Sequence, residues 1–483
     1  MLLDDAHAII ESSVNQHTKL TLNGMLSYLE YKSHFESLNY YTGIHITFTI
    51  NSKLAFEYEG IITDFSSTVC EAKSNNAVSQ ITIEALSHTC LMDIERKSNS
   101  FQDKEMLYSE MISKIMHVYN GSFSIETVEY SKKLDTFVLQ HDETDWTFLV
   151  REASKFEQGL YVDCRVPFPY LCFGTPMGLY RGDMDCYEYS VCKRLDMLRK
   201  ENENRLIGGV FECDYTSYKI DDEFASNTFS LGDQVSYMGM QLYIMSVVST
   251  IKDNHLHNTY ELTTLNGLKQ PRQYNKNIQG LALLGKVIAV KNNLLKLHLD
   301  IDSLQSVETA YWFSYTSPYS TWYCMPELND CVVLNLPTKD ESDAIAITSL
   351  KQNPSGGYSR DSNSNASSDS SGGATDIIDF KVSASDPDVK LFTTKSGRMI
   401  QFGPDRTIVL FDPNTYFILD DESGITLHTT QDISMHATGQ INAIADNEII
   451  LSADTKITIR TKGSSIEIDP ARISITSTDV RMN

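Results

Sequence analysis

From residue 425 onward the sequence repeats every eight residues, and no other feature limits the fold as tightly. Ile425, Ile433, Ile441, Ile449 and Ile457 stand at a fixed spacing of eight. Two residues after each come Leu427, Met435, Ala443, Leu451 and Ile459, and two further on Thr429, Ala437, Ala445, Ala453 and Thr461. Side chains at i, i+2 and i+4 share one face of a strand. Each octad therefore reads as a short strand ended by turn residues such as Asp446-Asn447 or Asp454-Thr455. Lys462-Gly463-Ser464-Ser465 inserts one residue, and the pattern resumes at Ile466, Ile468, Ile473 and Ile475. One such unit cannot bury its apolar face alone, so a short fixed period marks a solenoid or fibre. Eight residues make about one third of a closed circuit, so three chains around a shared axis are the economical closure. Closure also pairs strand edges that would otherwise aggregate. An antiparallel meander of short hairpins competes, but meanders rarely keep a strict octad through five repeats. His428 and His436, one octad apart, fall at odd positions and are expected to face outward.

Upstream, residues 353–375 (NPSGGYSRDSNSNASSDSSGGAT) form a Ser/Asn/Gly-rich linker too polar to order itself by burial. Before it, period-2 alternation dominates. Ile44, Ile46, Phe48 and Ile50 make one run, and Ile81, Ile83 and Ala85 another. Leu295, Leu297, Leu299 and Ile301 make a third, and Val332, Leu334 and Leu336 a fourth. Two helices interrupt this. Leu107, Met111 and Ile115 predict one within 102–119. Trp146, Leu149, Val150, Ala153 and Phe156 predict another over 145–156, capped by Asp142 or Thr144 and stopped by Gly159.

The formal charge is −24, which argues against nucleic-acid or anionic-membrane binding as the main task, since both need clustered Lys and Arg. Nine cysteines, odd in number and without C-x-x-C, fit scattered reduced thiols better than a disulfide scaffold or zinc ribbon. The N-terminal MLLDDAHAIIESS has no basic region and no sustained apolar stretch, so no signal peptide is expected. A cytosolic product is the expectation, leaving the cell, if at all, by a machine other than the general secretion route.

Catalytic patterns are missing: there is no G-x-S-x-G, H-E-x-x-H or Walker A sequence. The acidic cluster Asp142, Glu143 and Asp145 is explained by a helix N-terminus, where carboxylates complement the dipole. His255 and His257 form an H-x-H pair that could hold a metal, but nothing nearby in sequence supplies further ligands. No enzyme activity, cofactor or metal is expected.

The phrase Gln140-His141-Asp142-Glu143-Thr144-Asp145-Trp146-Thr147-Phe148-Leu149-Val150-Arg151, followed by Gly159-Leu160-Tyr161, is similar to the Q-x-x-E-T-D-x-x-F-L-x-R…G segment of the VgrG and contractile phage-tail hub-and-spike family. Ser100-Phe101-Gln102 and the FEYEGIITD stretch from Phe56 also look like family segments. Met325 to Leu334 resembles the P-x-x-G-D-x-V-x-V strand of the family's collar, with Asn329 where Gly is usual; Asn tolerates a left-handed turn best among other residues.

The resemblance implies a mainly β architecture. Residues 1–280 would form a hub of two β-barrel domains with inserted helices, pseudo-sixfold in a trimer. Residues 281–352 would form an OB-fold collar, and 376–483 an intertwined trimeric β-helix needle. It further implies a homotrimeric spike of a contractile injection machine, seated on tail-tube and baseplate proteins. Such a spike crosses a target envelope without stable membrane insertion. A PAAR-type tip protein or effector would dock at Val480 and Met482, where the last repeat ends bluntly. A trimeric receptor-binding fibre or adhesin is the alternative, and it would need a binding head and normally an export signal.

Overall fold

The computed structural model describes residues 4–50, 53–70, 78–127, 132–176, 180–184, 188–204, 211–222, 228–252, 255–316, 325–350, 390–394 and 396–480. The expected linker and Met482 lie outside these. The chain divides into two compact units, Met1–Lys351 and Gln352–Asn483.

Unit one begins with a lobe of β1 (Asp4–Ser13), β2 (Lys19–Ser27), α1 (Tyr28–Ser37), β3 (Gly43–Ile50), β4 (Lys53–Cys70) and β5 (Val78–Ser87). The strands pair antiparallel in the order β1-β2-β5-β4-β3. Alternation builds the core: Leu20 and Leu22 of β2 meet Ile81, Ile83 and Ala85 of β5 around buried Tyr58 and Ile10. Gly60 follows Tyr58 for a steric reason, because a β-carbon there would lie 2.6 Å from the Leu86 carbonyl oxygen.

An insertion follows: β6 (Arg96–Phe101), α2 (Tyr108–Met116), β7 (Phe123–Glu126), β8 (Val138–Thr144), α3 (Asp145–Ser154), β9 (Leu160–Val162) and β10 (Tyr170–Phe173). Met111, Ile112 and Ile115 of α2 pack on Phe148, Leu149 and Ala153 of α3. α2 is shorter than its apolar stripe because Leu107 takes the N-cap position, where its N–H donates to the Glu110 carboxylate at 3.2 Å. Thr144, not Asp142, caps α3, accepting from the Thr147 N–H at 3.2 Å. Gly159 does not stop α3, which ends four residues earlier, at Lys155. Gly159 is instead a close-approach glycine, where a β-carbon would fall 2.5 Å from Val14 and 2.9 Å from the Asn15 side chain.

The second lobe holds β11 (Tyr180–Asp183), β12 (Tyr189–Lys193), α4 (Leu195–Asn204), β13 (Thr216–Asp222), β14 (Gln234–Tyr237), β15 (Met240–Lys252) and β16 (His255–Thr263). The thirteen-residue β15 is long enough to pair with β14, β16 and β1. It thereby joins both lobes in one eleven-stranded sheet. Two barrels were expected for residues 1–280; the strands of the two lobes share one eleven-stranded sheet over two separate cores, the second around Ile220, Val235, Leu242, Ile244 and Tyr260, while β7-β10-β9 and β6-β8 are small sheets of the insertion.

β17 (Leu281–Lys291), β18 (Leu294–Leu299), β19 (Trp312–Thr316), β20 (Cys331–Leu336) and β21 (Ile345–Leu350) close a barrel in the order β17-β18-β19-β21-β20. All four alternating runs of the sequence are strands. Asn329 takes a φ of 69°, the left-handed turn expected of it.

Unit two contains a five-stranded antiparallel meander, β22 (Lys390–Thr393), β23 (Met399–Phe402), β24 (Arg406–Asp412), β25 (Thr415–Asp420) and β26 (Gly424–Thr429). A three-stranded one follows, β27 (Ile457–Arg460), β28 (Ser465–Asp469) and β29 (Arg472–Thr476). Residues 430–456, the middle octads, make no strand pairing among the described residues. Lys462–Ser465, read as a one-residue insertion, is the hairpin turn between β27 and β28, closed by the Thr461 N–H on the Ser464 carbonyl at 2.8 Å.

The barrel core draws on the insertion. Phe137 and Leu139, both buried, join Leu283, Val287, Leu297, Phe313 and Leu334, and Phe137 meets Phe313 edge-on at 5.0 Å. Phe137→Ala would leave a cavity that neither sheet can close. It is expected to cost about 3–5 kcal/mol in denaturant unfolding of unit one, against less than about 0.5 kcal/mol for a surface change such as Lys286→Gln.

Candidate functional site

The residues singled out in the hub phrase converge on the junction between insertion and barrel. α3 is buried on nearly every side, so its polar residues must find partners inside the protein. Arg151, 3% exposed, reaches the Glu143 carboxylate at 2.6 and 3.2 Å, Glu152 at 3.0 Å and Glu341 at 3.1 Å. It also donates to the Leu139 carbonyl at 2.7 Å. One turn on, Lys155 meets Glu152 at 2.8 Å and Glu341 at 2.6 Å. Glu341 belongs to the turn between β20 and β21, 190 residues from Arg151.

Two cations thus face three carboxylates in a dry pocket. Burial opposes ionisation of Glu341, but Lys155 and Arg151 outweigh it and hold its carboxyl below the ordinary range. For Glu143 burial wins over Arg151, and its carboxyl is pushed up. Burial also works against the charge of Lys155, yet Glu152 and Glu341 raise its affinity for the proton. The Tyr108 hydroxyl closes the cluster on Glu152 at 3.3 Å and is pushed up by burial and that carboxylate.

The other phrase residues serve the same joint. Gln140 donates to Asp145 at 2.8 Å and to the Glu143 carbonyl at 3.3 Å. Asp145 also takes Lys97 at 2.6 Å and the Tyr119 hydroxyl at 2.7 Å. Thr144 donates to Asp93. Phe148 stacks on Phe101 at 5.8 Å, and Leu149 is fully buried. Ser100 adds a link to the barrel, its N–H donating to Asp302 at 2.8 Å. The acidic residues at the start of α3 are consumed by these contacts, and the geometry is that of a clamp. Sequence reasoning missed Glu152, Lys155 and Glu341; the available signal was Arg151 next to Glu152 on a helix otherwise apolar.

His255 and His257 lie on β16, opposite Lys252 and Thr250. His257 stands 3.9 Å from Asp221. Among the described residues no group of three His, Cys, Asp or Glu could hold a metal ion, and no helix is long and apolar enough to cross a membrane. The octad positions are spread along unit two. Ile425 and Leu427 sit on β26, Ile457 and Ile459 on β27, and Ile433, Met435, Ile441, Ile449 and Leu451 between them. All but the half-buried Ile457 are more than half exposed in the single chain. Val480 is half exposed.

Removing one partner from a buried ion cluster strands the others. Arg151→Met is therefore expected to destabilise unit one by about 3–5 kcal/mol. The folded Glu341 carboxyl lies below its unfolded value, so its contribution is full above the ordinary Glu range and lost as pH falls through the folded value. Glu143, shifted the other way, does not add to that loss. Glu341→Gln should flatten the fall in melting temperature on acidification, read by calorimetry from neutral pH down through the carboxylate range.

No family model matches the sequence, and no curated protein does. Solved structures do match. An Escherichia coli component of the type VI secretion system, described as structurally similar to the bacteriophage T4 tail proteins gp27 and gp5, aligns with a TM-score of 0.50 at 12% identity; the alignment covers 72% of this chain and 97% of that one. Chains of the Francisella PdpA–VgrG complex align at 10% identity over 88% of this chain. In the lidded form the TM-score is 0.53 over 76% of that chain, and in the lidless form 0.51 over 94%. The order of hub sheet, helical insertion, closed barrel and C-terminal strands is the fold of VgrG-like, phage-tail-hub-like proteins.

Proposed function

We propose that this chain is the spike of a contractile injection machine, a homotrimer that joins tail tube and baseplate to a membrane-puncturing needle. The observation that carries this reading is an apolar face that is largely exposed in the single chain. In the meander β22–β26, cross-strand register sets Ile400, Val409, Phe417 and Leu427 in one row. Phe402, Leu419 and Ile425 share that face in the next row, and Phe392 and Phe411 complete it. Seven of these nine are at least 40% exposed, while the opposite face buries Met399, Ile408, Leu410 and Ile418. The row continues into the octad column, and at the far end Ile457, Ile459, Ile466, Ile468, Ile473 and Ile475 again share one face.

Each such side chain contributes about 1.5–3 kcal/mol when fully covered. Even at half that yield, nine per chain reach the roughly 4–15 kcal/mol that association costs. Further copies of the same chain carry the same face and the same octad, so three of them cover one another around an axis. The unpaired octads 430–456 supply the strand edges such a needle would pair between chains. The strand order of the barrel supports an OB-fold collar, and the clamp around Arg151 ties that collar to the hub. The role is mechanical, with no bond chemistry. A tip protein or effector at the end near Val480 and Met482 belongs to the same reading, as do tail-tube partners for the hub.

The test sets an inward against an outward octad position. Ile441→Asp brings three carboxylates together near the axis, an uncompensated burial worth several kcal/mol per ion. It is expected to abolish trimer formation or protease resistance, whereas His436→Asp leaves both nearly unchanged. Equal effects would contradict the needle.

A further inference from the structure

The turn between β1 and β2, residues 14–18, is the point where the first lobe seats on the insertion. The Asn15 N–H donates to the Leu160 carbonyl at 2.9 Å, and the Leu160 N–H returns to the Asn15 side chain at 2.8 Å. Asn15 also donates to Gln270 at 3.1 Å and holds a φ of 64°. Gly159 has no side chain because this turn lies against it. The one ionisable side chain of the turn, His17, goes inward. Its ring lies 4.2 Å from that of Trp146 in the first turn of α3. Its Nδ1 sits 2.8 Å from the Thr89 hydroxyl. Its Nε2 is buried and, among the described residues, has no hydrogen-bond partner.

One charged group faces that nitrogen, Asp93, whose nearer oxygen stands 3.8 Å away. The distance is too long for a hydrogen bond. The other Asp93 oxygen is already engaged by Thr144, the cap of α3, and by Thr147. α3 faces the ring with the neutral Trp146, and the turn before β6 with Thr89 and Asp93.

We propose that this turn is an acid-sensitive joint: protonation of His17 unseats it from α3 and loosens the first lobe from the insertion. Whichever nitrogen takes the added proton, both then donate, and Nε2 is buried with no acceptor within hydrogen-bond distance among the described residues. Closing the gap to Asp93 draws the ring off Trp146 and competes with the α3 cap. Staying put leaves a buried cation whose one facing carboxylate, Asp93 at 3.8 Å, is too far to accept its proton in a hydrogen bond. Both routes disfavour the seated turn. Consistently, burial pushes the imidazole below its ordinary value, and Asp93 pulls the other way without offsetting it. A folded state that holds the proton less tightly than the unfolded chain loses stability as pH falls below about 6.5.

Amide hydrogen exchange on the full-length protein reads the joint directly. Between about pH 7.5 and about pH 5.5, exchange of the Asn15 and Leu160 amides, corrected for intrinsic rate, should accelerate by about tenfold. In His17→Phe, which keeps a ring against Trp146 but cannot titrate, the acceleration should vanish. His88, a half-buried imidazole in the same 88–93 turn as Thr89 and Asp93, is retained in that variant. Equal acceleration with and without His17, or none in the native protein, overturns the proposal. Should His17→Phe fail to fold, Asp93→Asn decides. It removes the one carboxylate that favours the charged ring and so lowers the seated imidazole further; acceleration must still begin near the ordinary imidazole value but run on to lower pH and grow larger, and an unchanged or smaller extent refutes the joint.

Discussion

A strand with one apolar face needs a second surface to lay it on, and the described residues of the C-terminal unit do not supply it for one face of their meander. Its meander buries one face around Met399, Ile408, Leu410 and Ile418. The other face, with Ile400, Phe402, Leu419, Ile425 and Leu427, is largely exposed. The octads beyond repeat the problem every eight residues. Because the exposed pattern is the same along the column, any copy of the chain presents what another lacks. In the proposed trimer this deficit is what holds the needle together. Three chains at −24 each would carry −72, so finished particles repel one another while their apolar faces are hidden.

The hub solves the opposite problem, that of polar groups with no water. Arg151, Lys155, Glu143, Glu152 and Glu341 are all largely buried. Replacing such clusters with apolar residues is often neutral or stabilising, so net stability is a weak explanation for them. What the cluster does supply is geometry. Glu341 fits α3 only when the barrel turn is in register, and Phe137 and Leu139 of β8 enter the barrel core at the same place. In the proposed role as a contraction-driven spike, such a fixed register between barrel and hub would transmit load without slack.

Much of this was legible in the sequence because periodicity is a local signal. The runs at Ile44, Ile81, Leu295 and Val332 are strands, the stripe at Met111 and that at Leu149 are helices, and Asn329 makes its left-handed turn. What was hidden is non-local. Gly159 looked like a helix stop but answers to Val14 and Asn15, 144 residues or more away in sequence. The Arg151–Glu341 contact and the pairing of β15 with β1 that merges two lobes into one sheet likewise join distant segments. Two helices, α1 and α4, also escaped notice. Their sequences, YLEYKSHFES and LDMLRKENEN, are polar enough that no apolar stripe announces them. The strict octad spoke for a needle, yet its two ends turn back as hairpins within one chain; the sequence carries the period but not the partner of each strand edge.

The central claim, that the apolar column is covered by two further copies, is tested most directly by the mass of the purified full-length protein under native conditions. The account predicts a single species at three times 54.5 kDa, persisting on dilution below micromolar concentration. A monodisperse monomer with the column still resistant to proteolysis would contradict it, because one chain would then be covering its own isoleucines.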